Sequence, residues 1–519
     1  MNAITRQRLG NRKRRIGYRL REIHWADQAQ PMLTARNIQY EVAQRARGVA
    51  AGGIGAMHVL ARRTGLIEAL DRRLHLLKVH LPYHESDHVL NIAYNILVGG
   101  TCLQDIERQR NEEGYLDGLG AQRIPDPTTE GDFCRRFTPA DIETLLDTVN
   151  EVRLGVWKRQ PSSFFGEAVI DADGTLATTY GQCKEGMDIS YKGQWGYHPL
   201  VVSLANTGEV LYLVNRSGNR PSHEGAAQRF DQAIALCRRA GFETILLRGD
   251  TDFTQTEDLD RWDGQGVTFI FGIDAMPKVV QLADDLPPSA WRSLLRREKY
   301  EVATRERARP ENVKERIVKE REFENIRLVS EEVAEFAYQP GKCQKPYRIV
   351  AVRKNLSVEK GERRLFDEVR YFFYLTNDGE SPPETIVPVA NGRCQQENLI
   401  EQLKNGVRAM EMPVDDLVSN GAYMVMASLA WTLKAWLALC LPEEGRWREK
   451  YRAQKQSLLS MEFKKFLNVL MRVPCQIVRT GRRIVYRLLS WNPWLEVLLR
   501  GVEALCRSPA VPVCRPLRC

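Results

Sequence analysis

Between residues 161 and 275 the hydrophobic period changes, and that change limits the folds open to this 519-residue chain more than any other feature. Upstream, VLARRTGLIEALDRRL and HVLNIAYNILVGG carry apolar residues at helical spacing. From 161 onward short apolar runs take over, at roughly 167–171, 197–205, 209–215, 244–249 and 267–273, each of strand length. The link ANTGE at 205–209 is turn-like, so the first three strands are expected to be antiparallel. HEGAAQRFDQAIALCRRAG, 223–241, reads as an amphipathic helix ending at Gly241, and it crosses to the strand that ends at Asp250.

The resulting order, β-β-β-α-β-α-β with a later helix, matches a ribonuclease-H-like layout. The expected fold class is therefore α/β: a mixed sheet flanked by helices, interrupted by a mainly β insertion, with helical N- and C-terminal regions. The expected organisation is a basic arm over 1–30 and a helical DNA-binding region over 31–160. The first part of the core spans 161–275, the β-rich insertion 276–378, the second part of the core 379–440, and a basic helical region 441–519. The insertion contains the strand-like pieces YRIVAVRK and VRYFFYLTN, and it is too long for a structureless loop. In the C-terminal region RWREKYRAQK and VRTGRRIVYRLL both read as helical, and Trp491, Pro493 and Trp494 as a helix end.

Three carboxylates stand at the ends of these elements. Asp173 follows an apolar run in EAVIDADGT, Asp250 ends another in TILLRGDTDF, and Glu397 lies in RCQQENLIEQLK. Such hard oxygen donors suit Mg²⁺, and two such ions can cut a phosphodiester. Short aspartates on adjacent strand ends are held rigidly, and a glutamate on a facing helix closes the site. In a helix over roughly 391–404, Arg393 lies one turn before Glu397 and Lys404 two turns after it, on the same face. Taken alone, this is also the pattern of a surface ion pair beside an ordinary lysine.

The spacing R-x3-E-x6-K around Glu397 resembles the Y-x2-R-x3-E-x6-K motif of the DDE transposases of bacterial insertion sequences. DGT at Asp173–Thr175 resembles their first-aspartate strand end, and RGDTDF at Arg248–Phe253 their second-aspartate block. HPLVVSLANTGEVLYLVNRSGN and GDFCRRF are similar to one branch of that family, so the resemblance covers roughly residues 80–440. It implies metal-dependent cutting and strand transfer of double-stranded DNA, at the element's inverted ends and at a target, by at least a homodimer. It implies further that Asp173, Asp250 and Glu397 hold two Mg²⁺ (or Mn²⁺) ions, with Arg393 and Lys404 contacting DNA near the cut. The family tyrosine falls on Ala390 here. Asp171 shares a strand face with Asp173, and Asp173 fits the DGT pattern better; Asp252 is a weaker rival to Asp250. A catalytically inactive or co-opted DNA-binding relative is the alternative.

Charge supports a nucleic-acid partner: residues 1–25 hold eight Arg/Lys against the single acid Glu22. Eleven scattered cysteines without a CxxC pair read as reduced thiols, and the basic N-terminus lacks the apolar stretch of a signal peptide. The expected setting is the bacterial cytoplasm, at the nucleoid. Ala422–Leu441 is apolar enough to span a membrane but carries Lys434 near its middle, and reads as a buried helix. His84-Glu85-Ser86-Asp87-His88 spells HExxH, the pattern of a zinc peptidase. Pro82 upstream, with Ser86 and Asp87 as caps, points instead to a helix start. His223 reads as a cap or surface residue near the cleft, and Trp291 as core rather than a base-stacking residue.

Overall fold

The computed structural model describes residues 3–21, 32–33, 35, 38–179, 181, 184–296, 313–361, 363–481 and 483–507. Part of the charged run of the insertion, 297–312, and the last dozen residues lie outside these.

Five strands form the core sheet: β1 (Glu167–Gly174), β2 (Leu200–Leu204), β3 (Glu209–Val214), β4 (Thr244–Gly249) and β5 (Thr268–Ile273). Their spatial order is β3-β2-β1-β4-β5, antiparallel from β1 through β3 and parallel from β1 through β5. This is the ribonuclease-H-like arrangement. β1 and β4 lack a polar alternation because both faces of these central strands are covered, which calls for near-continuous apolar runs.

The insertion is continuous with this sheet. Its strands β6 (Glu324–Tyr338), β7 (Tyr347–Lys360) and β8 (Arg363–Thr376) form a long antiparallel meander, and β8 pairs with β5. With a short strand at Arg292–Ser293 the sheet reaches nine strands. Trp291 is buried, with the guanidinium of Arg353 4.2 Å above its ring, so it is core.

Among the helices, α1 (Ala3–Arg19) begins the described chain, α2 (Glu85–Leu97) and α3 (Pro139–Trp157) lie in the N-terminal region, and α4 (Ala226–Ala240) crosses from β3 to β4. Beyond the insertion come α5 (Pro383–Asn391), α6 (Cys394–Glu401), α7 (Leu417–Leu439) and α8 (Leu495–Arg507). α7 is long and apolar enough to cross a membrane, yet it is packed inside the protein, against α2, α3 and β3. One carboxylate ties these layers together. Buried Glu209 of β3 accepts from Arg153 Nε (3.0 Å) and Trp157 Nε1 (2.8 Å) of α3, Trp436 Nε1 (2.9 Å) of α7, and Thr207 Oγ1 (2.8 Å). Its oxygens are thereby satisfied without water, as a buried charge requires.

Two expectations near the C-terminus are corrected. VRTGRRIVYRLL is not helical: it forms most of a hairpin, β9 (Cys475–Thr480) and β10 (Arg483–Leu488), turning at Gly481 with φ 51°. The β-branched Val478, Ile484 and Val485 suit strands, and the left-handed turn suits glycine. Trp491 and Trp494 precede α8 rather than ending a helix.

The HExxH segment is structural. α2 starts at Glu85, and the Asp87 carboxylate accepts from the backbone N–H of His84 (2.9 Å), so the cap is His84, ahead of the Ser86 and Asp87 expected from the sequence. Buried His88 pairs through Nδ1 with Glu130 (3.1 Å), and Glu85 accepts from the backbone N–H groups of Leu76 and Leu77 (3.0 Å each). Glu85 and His88 are spent on joining α2 to its neighbours, and Asp87 on capping it.

Candidate active site

Strand register explains why the two aspartates meet. Asp171 of β1 is the parallel partner of Arg248 of β4. Two residues further on, on the same face, stand Asp173 of β1 and Asp250, the first residue past β4. Asp171 is engaged before the site begins: Arg248 donates to it through Nε and Nη2, at 2.7 Å each, in a buried bidentate pair. Burial raises the Asp171 carboxyl, and the Arg248 guanidinium opposes that.

Asp250 is fixed from the other side. It caps the short turn Thr251–Phe253, and its Oδ1 accepts from the backbone N–H of Asp252 (3.1 Å). The Asp252 side chain is exposed.

The helix bearing Glu397 is shorter than expected. α5 ends at Asn391, Gly392 and Arg393 form a break, and α6 begins at Cys394. Gly392 leaves room there for the guanidinium of Arg248, whose Nη1 would lie 2.4 Å from an added Cβ. That same guanidinium donates through Nη1 to Val389 O (2.8 Å), pinning α5 over the end of β4. α6 is pinned to β2 by buried Gln396, which donates through Nε2 to Val201 O (2.9 Å) and accepts from Ser203 Oγ. Past α6 the chain widens into a π-turn, Gln402–Gly406, a form common at functional sites. From it Lys404 donates to Leu176 O (2.7 Å), just beyond Asp173, and burial lowers its ammonium from the usual value.

These anchors bring Asp173, Asp250, Glu397 and Arg393 together. Arg393 Nη1 lies 3.2 Å from Asp173 and 3.9 Å from Asp250, and its Nη2 lies 3.4 Å from Glu397. Burial, augmented by Asp250 and Glu397 and opposed by Arg393, pushes the Asp173 carboxyl up to about 7. Asp250 is raised for the same first reason. Among the described residues no three His, Cys, Asp or Glu side chains are arranged to hold an ion as they stand; the guanidinium lies between the three acids. The donor set itself, three carboxylates around one cationic position, fits a hard divalent ion.

A cavity of about 330 Å³ opens beside Asp250, lined by Thr251, Phe372, Tyr374, Ala390, Asn391 and Arg393 among others. Tyr374 of β8 donates its hydroxyl to Asn391 Oδ1 (3.3 Å) next to buried Ala390. An aromatic hydroxyl therefore stands near the position of the family tyrosine, supplied by the insertion, where no sequence signal singles it out. His198 is a second residue without such a signal. It packs under Gly174, where a Cβ would come within 2.8 Å of its ring, and burial, aided by Arg216, lowers it to about 4. His223 precedes α4, and its carbonyl accepts from Gln255 Nε2 (2.9 Å). A larger cleft of about 1080 Å³ is lined by Asn206, whose amide bonds the start of β1, at the opposite end of the strand from Asp173.

Sheet order and strand-end acids define a ribonuclease-H-like α/β protein with a carboxylate site at the C-terminal ends of its central parallel strands. Residues 34–510 match the family described as transposase DDE domain group 1, and the chain belongs to it: it is a DDE transposase, an enzyme of DNA cutting and strand transfer. No curated protein matches it. One solved structure that it resembles is a cryo-EM piggyBac transposase synaptic complex with hairpin DNA. That protein is 11% identical, the match covers 91% of this chain and 90% of the other, and the TM-score is 0.35.

Proposed function

We propose that this transposase binds the inverted ends of its own insertion sequence, cuts phosphodiester bonds there and joins the freed 3′-hydroxyls to target DNA, with Asp173, Asp250 and Glu397 as ligands of two Mg²⁺ (or Mn²⁺) ions. The carrying observation is that acids from β1, the end of β4 and α6 all face one guanidinium. When bound, divalent ions supply activation of the attacking oxygen and charge neutralisation at the leaving oxygen. Asp173 and Asp250 hold their positions through strand register, and Glu397 through the Gln396 anchor. Water attacks the phosphodiester at the element end, one P–O bond forms as another breaks, and a 3′-hydroxyl is released. That hydroxyl then attacks a target phosphodiester in line, again exchanging one P–O bond for another. Arg393 contacts the DNA phosphates near the cut, and Lys404 holds the loop after Asp173 against them.

The ends are gripped by the basic termini, acting as a homodimer on DNA in the bacterial cytoplasm. The two termini meet: Arg12 of α1 donates to Leu488 O (2.6 Å) and Ser490 O (3.1 Å), and Lys13 lies over the Trp491 ring. Exposed Arg6, Arg8, Arg14, Arg15 and Arg19 of α1 and Arg483 and Arg487 of β10 thus belong to adjoining elements, which supports one phosphate-facing surface.

DNA flanking the gene supplies the substrate. Wild type should cut inverted-repeat DNA only with Mg²⁺ or Mn²⁺, and Asp250→Ala should bind it without cutting. If both bind and neither cuts in any metal, the catalytic reading fails and a DNA-binding relative remains.

A further inference from the structure

The two arginines near the site hold their acids very differently. Arg248 makes a buried, bidentate pair with Asp171, both contacts at 2.7 Å, the length of strong charge-assisted bonds. Arg393 spreads over three carboxylates at 3.2, 3.4 and 3.9 Å, and binds none of them bidentately. Its backbone is fixed between two anchored helices, with its N–H donating to Ala390 O (3.1 Å), so only the side chain is free to swing. One positive charge faces three acids. The guanidinium is placed as a counter-ion, not as a structural clamp, and a phosphate offers it the planar bidentate partner that it lacks here.

We propose that Arg393 is an exchangeable counter-ion that fills the carboxylate site until a DNA phosphate draws it out, so that metal loading and DNA binding are coupled through this one side chain. The proposal rests on the assignment of Asp173, Asp250 and Glu397 as metal ligands. In the DNA-free protein the guanidinium competes with the metal for the same oxygens. Engaged on a phosphate it releases them. By linkage, whatever factor DNA adds to metal affinity, metal adds to DNA affinity.

The test is Mn²⁺ binding to the full chain without DNA, followed by the electron paramagnetic resonance of free Mn²⁺. Arg393→Gln should bind Mn²⁺ about tenfold more tightly than wild type. Arg393→Lys keeps one charge but cannot span three carboxylates, and should show a smaller gain in the same direction; it also serves if the glutamine variant does not fold. Asp250→Ala should lose the binding, which locates the ion. If neither Arg393 variant exceeds wild type while Asp250→Ala still abolishes binding, the counter-ion proposal alone is overturned. If Asp250→Ala leaves binding intact, the ion sits elsewhere, and the assignment of the ligands falls with it.

Discussion

At the residue scale, Asp171 and Asp173 sit two positions apart on one strand and do opposite things. Asp171→Asn strands the buried Arg248 charge and should cost about 3 kcal/mol of stability, seen as a lower melting temperature. Asp173→Asn relieves crowding among acids, and should leave that temperature unchanged or raise it while abolishing cleavage. The converse pattern would exchange their roles. DGT in the sequence favours Asp173, but the physical reason is invisible there: only the parallel register sets Arg248 against Asp171. Lys434 gives a second residue-scale expectation. Burial lowers its ammonium to about 7, though it donates to Leu459 O (2.9 Å). Between that value and the ordinary 10.5 the unfolded chain binds the extra proton, so this group makes stability rise with pH across that window and withdraws it as pH falls to 7. Lys434→Met should remove that part of the rise, and denaturation midpoints of both proteins at pH 7 and 9.5 measure it.

At the element scale, the site depends on the break between α5 and α6. Gly392→Ala pushes against Arg248, and should loosen both the Asp171 pair and the hold on α5. Lower cleavage together with a lower melting temperature is expected; cleavage kept at the wild-type level would show that the break tolerates a side chain. The strands are legible in the sequence because buried central strands announce themselves as apolar runs. The break is not, because Ala390, Arg393 and Glu397 keep helical spacing straight across it. The hairpin at 475–488 looks helical for a related reason: Ile484 and Leu488 also fit a helical repeat, and only pairing decides. Tyr374 cannot be assigned beside Ala390 from sequence, since β8 reaches that place by pairing with β5 about a hundred residues earlier in the chain.

At the scale of the whole molecule, α1 and the β9–β10 hairpin adjoin, although they lie at opposite ends of the chain. Replacing Arg6, Arg8, Arg15 and Arg19 with glutamine should weaken duplex binding and flatten its dependence on salt by about 0.9 for each phosphate no longer neutralised. Fluorescence anisotropy across a salt series measures this, and an unchanged slope would take α1 out of the DNA surface. The central helix α7 carries a further consequence, for the order in which the protein comes into being. It packs against α2 and α3 from the N-terminal region and against β3 of the sheet, so both lean on a segment made late in synthesis. Glu397 emerges shortly before it. A ribosome-bound chain that stops short of residue 397 carries its basic N-terminus and both aspartates, yet lacks the third acid and the helix that closes the core. With Glu397 as the proposed third ligand, cutting waits until the chain has passed it and α7 has closed the core.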